Sequence, residues 1–75
     1  MPTIHDFGDF KIYMYFEDHN PPHVHIIGKE FAAKMRITNQ IVFAGKAPSK
    51  IINEASQYVT ANIDKLMDRW NEYSS

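Results

Sequence analysis

The hydrophobic period of this chain changes once, near Gly45-Lys46-Ala47-Pro48, and that change dictates a mixed fold. Before it, apolar residues alternate. Phe10, Ile12, Met14 and Phe16 fall on one side of a segment whose other side is Lys11, Tyr13, Tyr15 and Glu17, the pattern of a half-buried strand. After it, Ile51, Ile52, Ala55, Tyr58, Val59, Ile63, Leu66, Met67, Trp70 and Tyr73 recur at threes and fours, the apolar stripe of an amphipathic helix. Strands first and helix last is the order of an α+β domain.

The punctuation between apolar segments sets the strand count. Asp18-His19-Asn20-Pro21-Pro22 ends the first strand, because two prolines remove two ladder donors and fix two φ angles. His23 to Ile27 alternates again, and Gly28-Lys29-Glu30 turns the chain into a third strand, about Phe31 to Ile37. Thr38-Asn39-Gln40 leads to Ile41-Val42-Phe43-Ala44, after which Gly45 and Pro48 end the sheet. Connections this short cannot make parallel crossovers. The expected fold is an antiparallel meander of three to four strands with one face covered by the C-terminal helix. Phe10, Ile12, Met14, Phe16, Val24, Ile26, Met35, Ile37 and Phe43 should form the core with the helix stripe.

Ser49 is a candidate N-cap. One unbroken helix from Ser49 to Tyr73 would be about 37 Å long, against a globule roughly 30 Å across. A break is therefore expected at Thr60-Ala61-Asn62, with Asn62 capping a second helix.

Composition narrows the function classes. Seventy-five residues support one domain, 1–75. The absence of cysteine excludes disulfides, thiolate metal sites and cysteine nucleophiles. No apolar run reaches the roughly 18–20 residues of a membrane span, and Met1 to Asp6 lacks the basic and apolar regions of a secretory signal. A cytoplasmic location is the expectation. The net charge of −1 is unevenly spread. Lys29 to Lys50 holds five basic residues and one acid, whereas Ile51 to Ser75 holds two basic residues and four acids. A domain of this size encloses a deep ligand pocket with difficulty, so no small-molecule cofactor is expected.

Three of the four histidines lie in Asp18-His19-Asn20-Pro21-Pro22-His23-Val24-His25. His23 and His25, two apart on a strand, project to one face, and His19 and Asp18 are close enough to fold back onto them. Imidazoles with a carboxylate are ligands for zinc or another divalent metal. In the structural alternative, which is the expectation, His19 and His23 cap the loop through hydrogen bonds and no metal is held. A third reading makes His23 and His25 catalytic: a general base and acid cleaving a phosphodiester, as in a metal-independent ribonuclease, with Lys34 or Arg36 stabilising the developing charge. The open face itself should carry Lys11, Tyr13, Tyr15, His23, His25, Lys34 and Arg36, a surface suited to RNA or to a protein partner.

Several of these segments together are similar to a known family. The Met1-Pro2-Thr3-Ile4 start, the Lys11–Phe16 strand running into Asp18-His19-Asn20-Pro21-Pro22-His23-Val24-His25, Gly45-Lys46-Ala47-Pro48 and the helix ending at Trp70 resemble the bacterial domain of unknown function 4160 family. The resemblance covers almost the whole chain. It implies a small protein encoded beside another in a pair like a toxin–antitoxin module. The chain departs from the pattern at Ile41-Val42-Phe43-Ala44, where the family tends to be acidic. It departs again at Gln57-Tyr58, where the family often has Glu-Trp, and near Asn62, where a histidine is usual. Those departures favour binding over catalysis: a cognate small protein or a larger host complex as partner, the latter as for a mobile-element inhibitor, with RNA as the other candidate and no membrane.

Overall fold

A computed structural model describes residues 3–16 and 18–74. The readings of Met1-Pro2 and of Glu17 on the strand's polar side lie outside them. Five strands, β1 (Thr3–Asp6), β2 (Phe10–Tyr13), β3 (His23–Gly28), β4 (Ala32–Arg36) and β5 (Val42–Lys46), precede two helices, α1 (Ser49–Ala61) and α2 (Ile63–Ser74). The strands form one antiparallel sheet in chain order, the topology short connections enforce. The α+β class is as expected, but the meander has five strands. The additional one, β1, spans only four residues and is mostly exposed, too short for its alternation to register.

The core lies between one sheet face and the helices. Phe10, Ile12, Met14, Val24, Ile26, Ala33, Met35 and Ile37 meet Ile51, Ala55, Val59, Leu66 and Trp70. Within each helix these buried residues are four apart, so one stripe faces the sheet.

Two expected core residues lie elsewhere. Phe16 is 62 % exposed and packs at its ring on Tyr73, because β2 ends at Tyr13 and residues 14 and 15 are already outside the ladder. Phe43 is 38 % exposed. Its displacement follows from a β-bulge: Lys34 pairs with Ala44 but Met35 pairs with Val42, leaving Phe43 as the extra residue. The bulge puts Val42 against the core and turns Phe43 to the opposite face. Gly45 does not end the sheet but lies inside β5 at φ +75°, where a Cβ would collide with the Ala32 carbonyl.

The helix breaks at Asn62, as its length required; the molecule's longest extent is 31 Å. Asn62 does not cap α2 with its side chain. Its Nδ2 donates to the Tyr58 carbonyl at 2.8 Å, satisfying the end of α1, while its own carbonyl accepts from Leu66 N–H. At the other end Pro48 precedes α1 without a side-chain cap, and Ser49 is already helical. Among the described residues no helix is long and apolar enough to cross a membrane.

Candidate functional site

Strand register arranges the uncovered sheet face in transverse rows. Tyr13 pairs with His25, His25 with Lys34, and Lys34 with Ala44. On one side lies the row Lys11, Ile27, Ala32, Lys46; on the other, His23 pairs with Arg36, with bulged Phe43 beyond it. Alternation therefore brings Lys11, Tyr13, His23, His25, Lys34 and Arg36 to one face, and Tyr15 joins them with its ring 4.3 Å edge-on to His25. The centre of the face is small-chained. Ala32, Ala44 and Gly45 leave a cleft of about 130 Å³ bordered by His25 and Lys34. A larger depression of about 520 Å³, between Phe31 and Pro48, has no histidine in its lining; the chemistry centres on the smaller cleft.

At one corner of the face three polar side chains converge. The chain between β2 and β3 returns Asp18 over His23 and His25, so that one carboxylate oxygen, Oδ2, lies 3.0 Å from His23 Nε2 and 2.8 Å from His25 Nε2. His25 Nε2 donates a hydrogen bond there. His23 Nδ1 donates to the Pro21 carbonyl at 2.7 Å, so His23 does tie down the diproline loop. Its Nε2, although near Asp18, is buried without hydrogen-bond geometry to any partner. The His23 ring is enclosed by Phe43, Trp70 and His25 at centroid distances of 5.3, 5.2 and 5.0 Å and is only 3 % exposed. Asp18 Oδ1 accepts the His19 backbone N–H, which fixes the carboxylate. The His19 side chain itself is exposed and stands outside the converging group.

The electrostatics reflect this crowding. Burial pushes the Asp18 carboxyl up, but the hydrogen bonds from His25 and the His19 backbone, with the electrostatic attraction between the carboxylate and the neighbouring imidazoles when these are protonated, outweigh it. The carboxyl is held below its ordinary range. For His25 burial dominates and lowers its pKa; His23 and Lys34 add to that, and Asp18 only partly opposes it. His25 is therefore a neutral imidazole near pH 7. As a proton-transfer pair, His25 is placed at the cleft, whereas His23 lies beneath Phe43 and Trp70.

Arg36 extends across the same corner, its guanidinium 5.6 Å from the Phe43 ring centroid and its Nε without a hydrogen-bond partner. Sequence reasoning missed Phe43 and Trp70 as parts of this site. Both read as core, and only the bulge and the end of α2 bring them to His23. The remaining histidine, His5, stacks on Tyr58 at 4.8 Å beside Phe7 and belongs to the β1–α1 packing.

Fold and site together define a small α+β protein, a five-stranded meander backed by two helices, with a carboxylate–imidazole cluster on its uncovered face. The family model for Domain of unknown function (DUF4160) matches residues 9–71, and the chain belongs to that family. No curated protein and no solved structure matches it.

Proposed function

We propose that this is a small cytoplasmic protein that acts by binding a macromolecular partner, and that its uncovered sheet face takes an acidic protein surface. The observation carrying this reading is the row register, which gathers Lys11, Lys34, Arg36 and Lys46 around Tyr13 and His25 on one face. Lys11 stands 3.9 Å from Asp6, whereas Lys34, Arg36 and Lys46 form no ion pair among the described residues. Such a field steers and orients an acidic partner, and half-buried Tyr and Arg side chains are the usual energetic anchors of protein interfaces. RNA is the other candidate occupant, since bases stack on aromatic rings; of the rings here, Phe43 is already faced by Arg36. The gene-pair setting implied by the family resemblance makes a cognate small protein the first candidate, as in a toxin–antitoxin module.

The test is recovery of tagged protein from its host with and without ribonuclease, followed by titration of the purified partner. One acidic protein should be retained after ribonuclease treatment. Tyr13→Ala or Arg36→Ala should then weaken its binding by about 1–3 kcal/mol. Loss of the partner on ribonuclease treatment would transfer the face to RNA, and repeated recovery of the bare chain would overturn the proposal.

A further inference from the structure

We infer that Asp18, His23 and His25 form a binding site for a single divalent transition-metal ion of the zinc type. The donor atoms of the three side chains lie within 4.8 Å of one another, and they are two imidazole nitrogens and a carboxylate oxygen, the set such ions take. This was a possibility in the sequence and not its expectation. What changes the balance is the state of His23.

His23 Nδ1 faces a carbonyl, which can only accept, so Nδ1 carries the proton. In the neutral ring Nε2 then presents a lone pair, and it presents it to a carboxylate oxygen 3.0 Å away in a site 3 % exposed. Two lone pairs at that distance repel unless a cation lies between them. Nε2 and Asp18 Oδ2 stand close without a hydrogen bond between them. A metal ion satisfies Nε2, Asp18 Oδ2 and, after loss or transfer of its proton, His25 Nε2 at once.

The surroundings are those of a held ligand set. The Pro21 carbonyl fixes the tautomer and orientation of His23, and the His19 N–H fixes Asp18 through its other oxygen, the outer-shell support that metal ligands generally have. Ligands around a tetrahedral ion at 2.0–2.2 Å stand roughly 3.3–3.5 Å apart. The separations of 2.8 and 3.0 Å from Oδ2 need to open by a few tenths of an ångström, and the widest separation in the set, up to 4.8 Å, has to close by roughly 1.3 Å as the side chains draw in on the ion. Three protein ligands leave a coordination position free, and His25 borders the 130 Å³ cleft through which an outside donor would reach it.

The site can be tested on the intact chain, independently of any partner. Trp70, the single tryptophan, has its ring 5.2 Å from His23, so Cu²⁺ or Ni²⁺ bound there should quench its fluorescence. Zn²⁺ should bind at one ion per chain by calorimetry and raise the melting temperature. Asp18→Asn and His25→Ala should each lower Zn²⁺ affinity by at least about tenfold, the lower bound for losing even outer-shell support, while His19→Ala leaves it unchanged. Asp18→Asn keeps the side chain's shape, so its circular dichroism separates a lost ligand from a lost fold. Substoichiometric Zn²⁺, affinity indifferent to Asp18→Asn, or affinity that falls with His19→Ala would each overturn the assignment.

Discussion

At the scale of the residue, His25 and Asp18 make the metal-free protein sensitive to acid in two separate ranges. His25 has a folded pKa below its ordinary value of 6.5. Between the two values the unfolded chain binds more protons than the folded one, so stability falls as pH drops below about 6.5. Asp18 is likewise depressed, from 3.8, and its contribution is intact above that value and lost as pH falls further, through its folded pKa. Melting temperatures measured with a chelator present should therefore decline from neutrality toward pH 5 and decline again in stronger acid. His25→Gln should flatten the upper part of that profile. An unchanged upper slope in that variant would show that His25 is not the buried neutral group described here. The same pair shows what sequence can reveal of a site. Two histidines on alternate strand positions must share a face, and that was legible. Which loop residue reaches them was not, because His19 and Asp18 are neighbours and only the path of the loop separates an exposed imidazole from a converging carboxylate.

Among the elements, β5 decides how the site is built. A regular strand would send Phe43 into the core with Met35, and the bulge sends it to His23 instead. Gly45 supports this irregularity from inside the strand: its φ is +75°, and the Ala32 carbonyl and Ala33 Cα occupy the space a Cβ would need. Gly8 has φ +95° with nothing within 4 Å of its missing Cβ, and so separates backbone preference from collision. Gly8→Ala should cost about 1 kcal/mol through φ alone. Gly45→Ala should cost about 2–3 kcal/mol, since backbone atoms of β4 must also move. Denaturant midpoints at constant m-value give the comparison, and equal costs would remove the close β4–β5 approach from the explanation. The bulge also marks the limit of period-based reading. Alternation placed Phe10, Ile12, Val24, Ile26 and Met35 correctly in the core because they lie on strands that carry no inserted residue, and Met14 and Ile37, one residue past the ends of β2 and β4, stay on the same side. One inserted residue inverts the side of everything beyond it, and Ile41-Val42-Phe43-Ala44 carries no local signal of where the insertion falls. The helix break at Asn62 was legible for the opposite reason, since chain length against molecular size required it somewhere and Thr60 and Asn62, poor helix formers near the middle of the segment, offered the place.

For the whole molecule, the sheet separates two environments. One face is filled by the helix stripe; the other is left to charge, aromatic rings and histidine. They meet at His23, where the diproline loop, the bulged strand and the last turns of α2 come together through Pro21, Phe43 and Trp70. Both the proposed metal site and the corner of the proposed binding face depend on that ring being held with Nε2 turned toward Asp18. The most direct measurement is nitrogen-15 NMR of the imidazoles in metal-free protein, with ring-proton contacts read from the same sample. His23 should carry a proton on Nδ1, slow to exchange, with contacts to the Trp70 indole and the Phe43 ring, while neutral His25 carries its proton on Nε2. A His23 ring protonated on Nε2 alone, or one without contacts to Trp70 and Phe43, would contradict the arrangement on which the site is built.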